Sequence, residues 1–82
     1  MVLLYPLTTE KAIALIEREN KIVYIVEKQA TKKQIKEEVE KQFGVKVADV
    51  NTLITLGGKK KAFVKLAKGF SADDVAAKLK IA

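Results

Sequence analysis

Residues 45–68 read VKVADVNTLITLGGKKKAFVKLAK. Val45–Leu56 is rich in β-branched residues and reads as one long strand, bulged near Asp49. Gly57–Gly58 is a turn signal. Lys61–Lys68 then alternates, with Ala62, Val64 and Leu66 on one side and Lys61, Phe63 and Lys65 on the other. Two such runs around a glycine turn predict a β-hairpin with lysines at its tip. An adjacent pair of strands needs a cover for its apolar side, so the rest of the chain must supply one.

The flanking segments supply it. Downstream, Ser71–Ala72–Asp73–Asp74 opens a last helix. Ser71 can cap it, Phe70 can staple onto Val75, and the two aspartates suit the positive end of the helix dipole. Val75 and Leu79 give it a narrow apolar face. Upstream, Thr31–Lys32–Lys33–Gln34 has the T-x-x-Q form of a capping box. Ile35, Val39 and Phe43 follow at four-residue spacing, and Gly44 can take the left-handed conformation that stops a helix. Lys21–Glu27 is a strand apolar on both faces, which places it inside the sheet. Thr8 or Thr9 can cap a helix running to about Glu19, with Ile13 and Ile16 on its apolar face and Asn20 at its end. Leu3–Tyr5 is a short strand, and Pro6, which lacks an N–H, is expected to end its pairing. The order is (β)αβαββα. It predicts one α+β domain over residues 1–82, with a small antiparallel or mixed sheet of three to four strands packed with helices.

Composition narrows the function. In 82 residues there is no cysteine and no histidine. Thiolate metal sites and disulfides are excluded, and the commonest general base is missing. No cofactor is expected. Glycine-rich phosphate loops are absent. A small phosphatase of the acylphosphatase type needs an arginine in such a loop, and the only arginine is Arg18, late in the first helix. The chain reads as a non-enzyme with no small-molecule substrate. Apolar runs such as Ile22–Val26 fall far short of the roughly 20 residues a membrane span needs. Met1–Leu7 lacks the charge that opens a signal peptide. A cytoplasmic location is expected.

The net charge of +6 calls for an anionic partner. It is unevenly placed. No acid lies between Asp49 and Asp73, while Lys59, Lys60, Lys61, Lys65 and Lys68 do. At the tip, Gly57 and Gly58 let the backbone approach a surface, and Lys59, Lys60 and Lys61 fan out over a wide arc. Each phosphate neutralised would release counterions. The plain alternative is a solvated tip whose lysines discourage aggregation. Lys28, Lys32, Lys33 and Lys36 gather at the start of the second helix, where backbone N–H groups favour anions. An ordinary solvated helix face explains them equally well. Phe63, between Lys61 and Lys65, could stack on a base. Lys59–Leu66 partly matches the RNA-recognition-motif signature, but the second stacking aromatic is missing. A Phe63 covered by a helix fits better than a stacking platform. Asn51–Thr52 is unusual within a strand and marks a bulge or a polar contact.

Four short motifs, in order, resemble one family. Pro6-Leu7-Thr8-Thr9-Glu10-Lys11 is similar to the P-x-x-[ST]-E-K opening of ribosomal protein number twenty-three of the large subunit. Phe43-Gly44, then Val45-Lys46-Val47 and Val50-Asn51-Thr52, resemble its F-x-V-x-V…V-N-T strand. Lys60-Lys61-Ala62-Phe63-Val64 resembles its K-K-A-[YF]-V strand. The short Gly57–Lys61 loop and the closing Ser71–Ile81 helix look like the archaeal and eukaryotic branch. Bacterial members carry a longer basic loop that reaches into the exit tunnel. The resemblance implies a structural protein bound to large-subunit rRNA beside the polypeptide exit tunnel of the cytoplasmic ribosome. It implies that Thr8, Thr9, Lys11, Asn51, Thr52 and the lysine hairpin face RNA. It implies that Glu10 marks a docking point for nascent-chain factors such as the signal recognition particle. Protein number twenty-nine of the large subunit would be a neighbour. Two rivals remain: a free single-strand RNA binder of RNA-recognition type, which needs two exposed aromatics on one sheet face, and a protein-interaction module.

Overall fold

The computed structural model describes residues 2–79. Its elements are β1 (Leu3–Pro6), α1 (Glu10–Glu19), β2 (Lys21–Val26), α2 (Lys32–Phe43), β3 (Val47–Ile54), β4 (Lys60–Leu66) and α3 (Ala72–Leu79). The four strands form one antiparallel sheet in the order β1-β2-β4-β3. The α+β reading and its element order hold. The far end of the expected Ser71–Ile81 helix lies outside the described residues.

Each helix is set by local chemistry. Thr9 Oγ1 accepts from the Ala12 amide at 3.2 Å and starts α1. Thr31 and Gln34 form both halves of the capping box at the start of α2, at 3.2 and 3.0 Å. Gly44 ends α2 in the left-handed region, φ +64°. Asn20 does the same for α1 at φ +56°. Its side chain reaches further: Nδ2 donates to the Phe70 carbonyl at 2.8 Å, and Oδ1 accepts from the Ala72 amide at 2.6 Å. Ser71 sits at the expected cap position, its carbonyl accepting from Val75 at 3.4 Å. The side chain that meets the start of α3 is nevertheless Asn20.

Two other expectations need correction. Pro6 does not end the pairing of β1. It is the last residue of the strand, opposite Tyr24, and the Leu7 amide still donates to the Val23 carbonyl at 3.0 Å. β1 is an edge strand, where a missing N–H can face away from the ladder. The strands of the hairpin also differ from the reading: Val45, Lys46, Thr55, Leu56, Ala67 and Lys68 lie outside them, and Lys60 lies inside. The bulge appears where expected, between Val47 and Asp49.

The sheet has two unlike faces. One carries Ile22, Tyr24, Val26, Val50, Ala62, Val64 and Leu66 and meets Ile35 and Val39 of α2 and Ala72, Val75 and Ala76 of α3 in a single buried cluster. Phe43, Phe70 and Leu79 pack on its margin. All five residues Ile22–Val26 are buried, as an internal strand requires. β1 pairs only with the second half of β2, and α1 packs against β2 as well. From there α1 reaches both faces. Ile16 joins the main cluster, while Ala12 and Leu15 border the opposite face beside Val23 and Phe63.

Candidate nucleic-acid interface

Strand register sorts the lysines. Residues paired across a sheet share a face. One row across the face opposite the main core runs Tyr5, Ile25, Lys61, Leu53. The next holds Val23, Phe63 and Asn51, and the third Lys21, Lys65 and Asp49. This open face therefore joins Lys61, Lys65 and Asn51 with two aromatic rings. Asp49, the one acid in these three rows, lies at the end away from the hairpin tip. Thr52 pairs with Ala62 and so lies on the opposite face. Asn51 and Thr52 cannot present their side chains to one surface.

Tyr5 is the aromatic that sequence reasoning missed. It is 40% exposed. Only the sheet order brings β1 beside β2 and its ring onto the open face, so no local pattern signals it. Phe63 is half-buried, neither sealed by α1 nor standing free. The expected helix cover is thus partial.

The tip lysines have different situations. Lys59 Nζ donates to Tyr5 Oη at 2.9 Å and lies 5.5 Å from the ring centroid. These two distances put the ammonium out beyond the hydroxyl, so the contact is a hydrogen bond and not a stack on the ring face. The hydrogen bond to the Tyr5 oxygen holds the Lys59 pKa above its ordinary value. Lys60 points to the other face. Its Nζ donates to the Ala30 carbonyl at 2.7 Å and more weakly to that of Lys28 at 3.4 Å, fastening the hairpin to the loop before α2. Lys61 makes no hydrogen bond or ion pair among the described residues. The turn is self-closed: Thr55 N–H donates to the Lys59 carbonyl at 2.8 Å and Gly58 N–H to that of Thr55 at 2.9 Å. Gly58 has φ +81°, and a Cβ there would come within 3.3 Å of Lys28 Nζ. The left-handed φ is what favours glycine here, since the Lys28 ammonium ends a flexible side chain that can shift aside. Lys28 thus joins the cationic end of the sheet, with Gly57 exposed beside it.

The start of α1 borders the same face. Thr9, Lys11, Ala12 and Leu15 ring a hollow of about 210 Å³ with Lys61 and Phe63 across from them. Thr8 and Glu10 are exposed at the same helix start. Lys32, Lys33 and Lys36 stand apart. They line a shallow concavity against Ala48–Val50 of β3, and the Asp49 carboxylate accepts from the Val50 amide at 2.9 Å. The structure therefore unites Thr9, Lys11, Asn51, Lys61 and Lys65 on one side, adds Lys28 and Lys59 at its end, and leaves the α2 lysines as a separate group.

Comparison with known proteins decides the family. The ribosomal protein L23 family model matches residues 1–73. The chain belongs to the ribosomal protein L23 family. It is 61% identical over 71 residues to the large ribosomal subunit protein uL23 of Pyrobaculum aerophilum, covering 87% of this chain and 88% of that one. Membership of the L23 family makes it a ribosomal protein and not an enzyme. The L23 match spans every residue of the interface described above.

Proposed function

We propose that the chain is a structural constituent of the large subunit of the cytoplasmic ribosome, and that it binds large-subunit rRNA through the open sheet face. One observation carries the reading. Lys11, Lys61 and Lys65 share that face with Asn51, Tyr5 and Phe63, Lys28 and Lys59 extend it at the tip, and the acid among its paired strand residues, Asp49, lies at the far end. Cations hold phosphates, Asn51 offers both a donor and an acceptor, and shape dominates because A-form RNA hides its base edges in a deep groove.

Binding to a large-subunit rRNA transcript and to a scrambled RNA of equal length, across a salt series, tests it. If about five phosphates are neutralised, log affinity falls with log salt at a slope of roughly −3.5 to −4.5. The native transcript should be preferred. Equal binding to both RNAs would reduce the protein to a nonspecific polycation, and no binding to either would favour the protein-interaction reading.

The family resemblance supports a finer placement beside the polypeptide exit tunnel, with protein number twenty-nine as neighbour. Glu10, exposed at the start of α1, is in this reading the contact for the signal recognition particle or another nascent-chain factor. The short Thr55–Lys59 turn has no tunnel-lining part in it. Glu10→Ala should weaken factor recruitment to ribosomes while leaving rRNA affinity intact. Equal loss of both would refute the docking role. Lys32, Lys33 and Lys36 form a second, peripheral RNA contact.

A further inference from the structure

The hollow between α1 and the open face is built unlike a phosphate contact. Its lining is mostly apolar and includes Leu7, Leu15, Val23, Leu53 and Phe63. Lys11 and Lys61 also line it, and no acid does. At about 210 Å³ it is smaller than the roughly 300–1,000 Å³ sites that take drug-sized ligands. A flat group attached to an anionic backbone fits all three properties. Phe63 is half-buried with part of its ring left open toward this space. Asn51, its cross-strand partner, is exposed alongside and can reach the edge of a flat heterocycle.

We propose that the hollow receives one unstacked nucleobase from an unpaired rRNA nucleotide. The base lies against Phe63, and Lys11 and Lys61 hold the phosphates on either side of it. The inference rests on the rRNA-binding reading and deepens it: duplex RNA meets the cationic surface, and a single extruded base fixes the register. Base–aromatic stacking tolerates any base, so recognition is of an unpaired position and not of a sequence.

The test uses the full chain and the same rRNA transcript over the same salt series. Phe63→Leu keeps apolar bulk and removes the π-face; Phe63→Tyr keeps the π-face. Each variant is first checked by a thermal melt. Unpaired bases are probed with base-specific reagents in every complex. Phe63→Leu should weaken binding about tenfold, the loss of one stacked base, with the salt slope unchanged. At least one unpaired base protected by the wild-type chain should become reactive again. Phe63→Tyr should restore affinity and protection. Unchanged affinity in Phe63→Leu overturns the proposal while rRNA binding stands. So does a wild-type complex in which no unpaired base is protected, an outcome that would assign the hollow to a protein side chain; this measurement decides even if Phe63→Leu does not fold. A wild-type chain that binds no RNA sinks the parent reading and this one together.

Discussion

Lys60 and Lys61 are adjacent, identical in chemistry and opposite in employment. Lys60 Nζ is held by the Ala30 carbonyl at 2.7 Å, and Lys61 projects from the other face with no partner among the described residues. Lys60→Ala should cost about 1 kcal/mol of stability, a charge-assisted bond discounted for its partial exposure. Lys61→Ala should stay within about 0.5 kcal/mol of wild type but should flatten the rRNA salt slope by roughly 0.7 to 0.9. Urea denaturation and the salt series, run on both variants, separate the two roles. This division was half legible. The period of two that put Ala62 inward also puts Lys60 inward, yet a run of three lysines invites reading as one patch. The same period separates Asn51 from Thr52, which the family motif presents as a unit. Which carbonyls would receive Lys60 depended on the loop before α2, and no local pattern encodes that.

Among the elements, one polar side chain bridges the end of α1 and the start of α3. Asn20 ends α1 in the left-handed region and bonds both Phe70 and Ala72 across the gap. Asn20→Gly keeps the backbone conformation and loses both bonds, a cost of about 1–3 kcal/mol. Asn20→Ala should lose about 1–2 kcal/mol more, because a Cβ disfavours that conformation. Chemical denaturation of the two variants gives the difference directly, and equal stability would show that the backbone conformation contributes nothing. Local signals predicted most element ends: Thr31 with Gln34, Gly44, and the alternation of Ala62, Val64 and Leu66. They could not predict the strand order. Placing β4 between β2 and β3, and β1 outside β2, is a matter of burying the right faces over long separations. Tyr5 reached the interface, and Asn20 reached α3, only through that global arrangement.

At the scale of the molecule, the main core sets a limit at high pH. Burial raises the Tyr24 pKa above its ordinary 10.0. Its phenol therefore keeps its proton in the folded state where the unfolded chain has begun to lose it. The stability this contributes is complete below the unfolded value and disappears as pH rises through the folded one. Unfolding free energy measured from pH 9 upward should decline above about pH 10 in the wild type. Tyr24→Phe should show a shallower decline; identical curves would mean that the phenol ionises freely without unfolding.

The hairpin tip has a last consequence. Its turn closes on itself through Thr55, Gly58 and Lys59, Lys59 ties it to β1, and Lys60 ties it to the loop before α2. A segment that must order itself on its target carries an entropic debt into the complex and leaves a large negative heat-capacity change in calorimetry. This tip has already settled that debt during folding. In the proposed rRNA-binding role, its encounter with RNA would be the docking of a preformed shape, in which the long-range attraction of its charges, more than any rearrangement of chain, would set how fast the two partners meet.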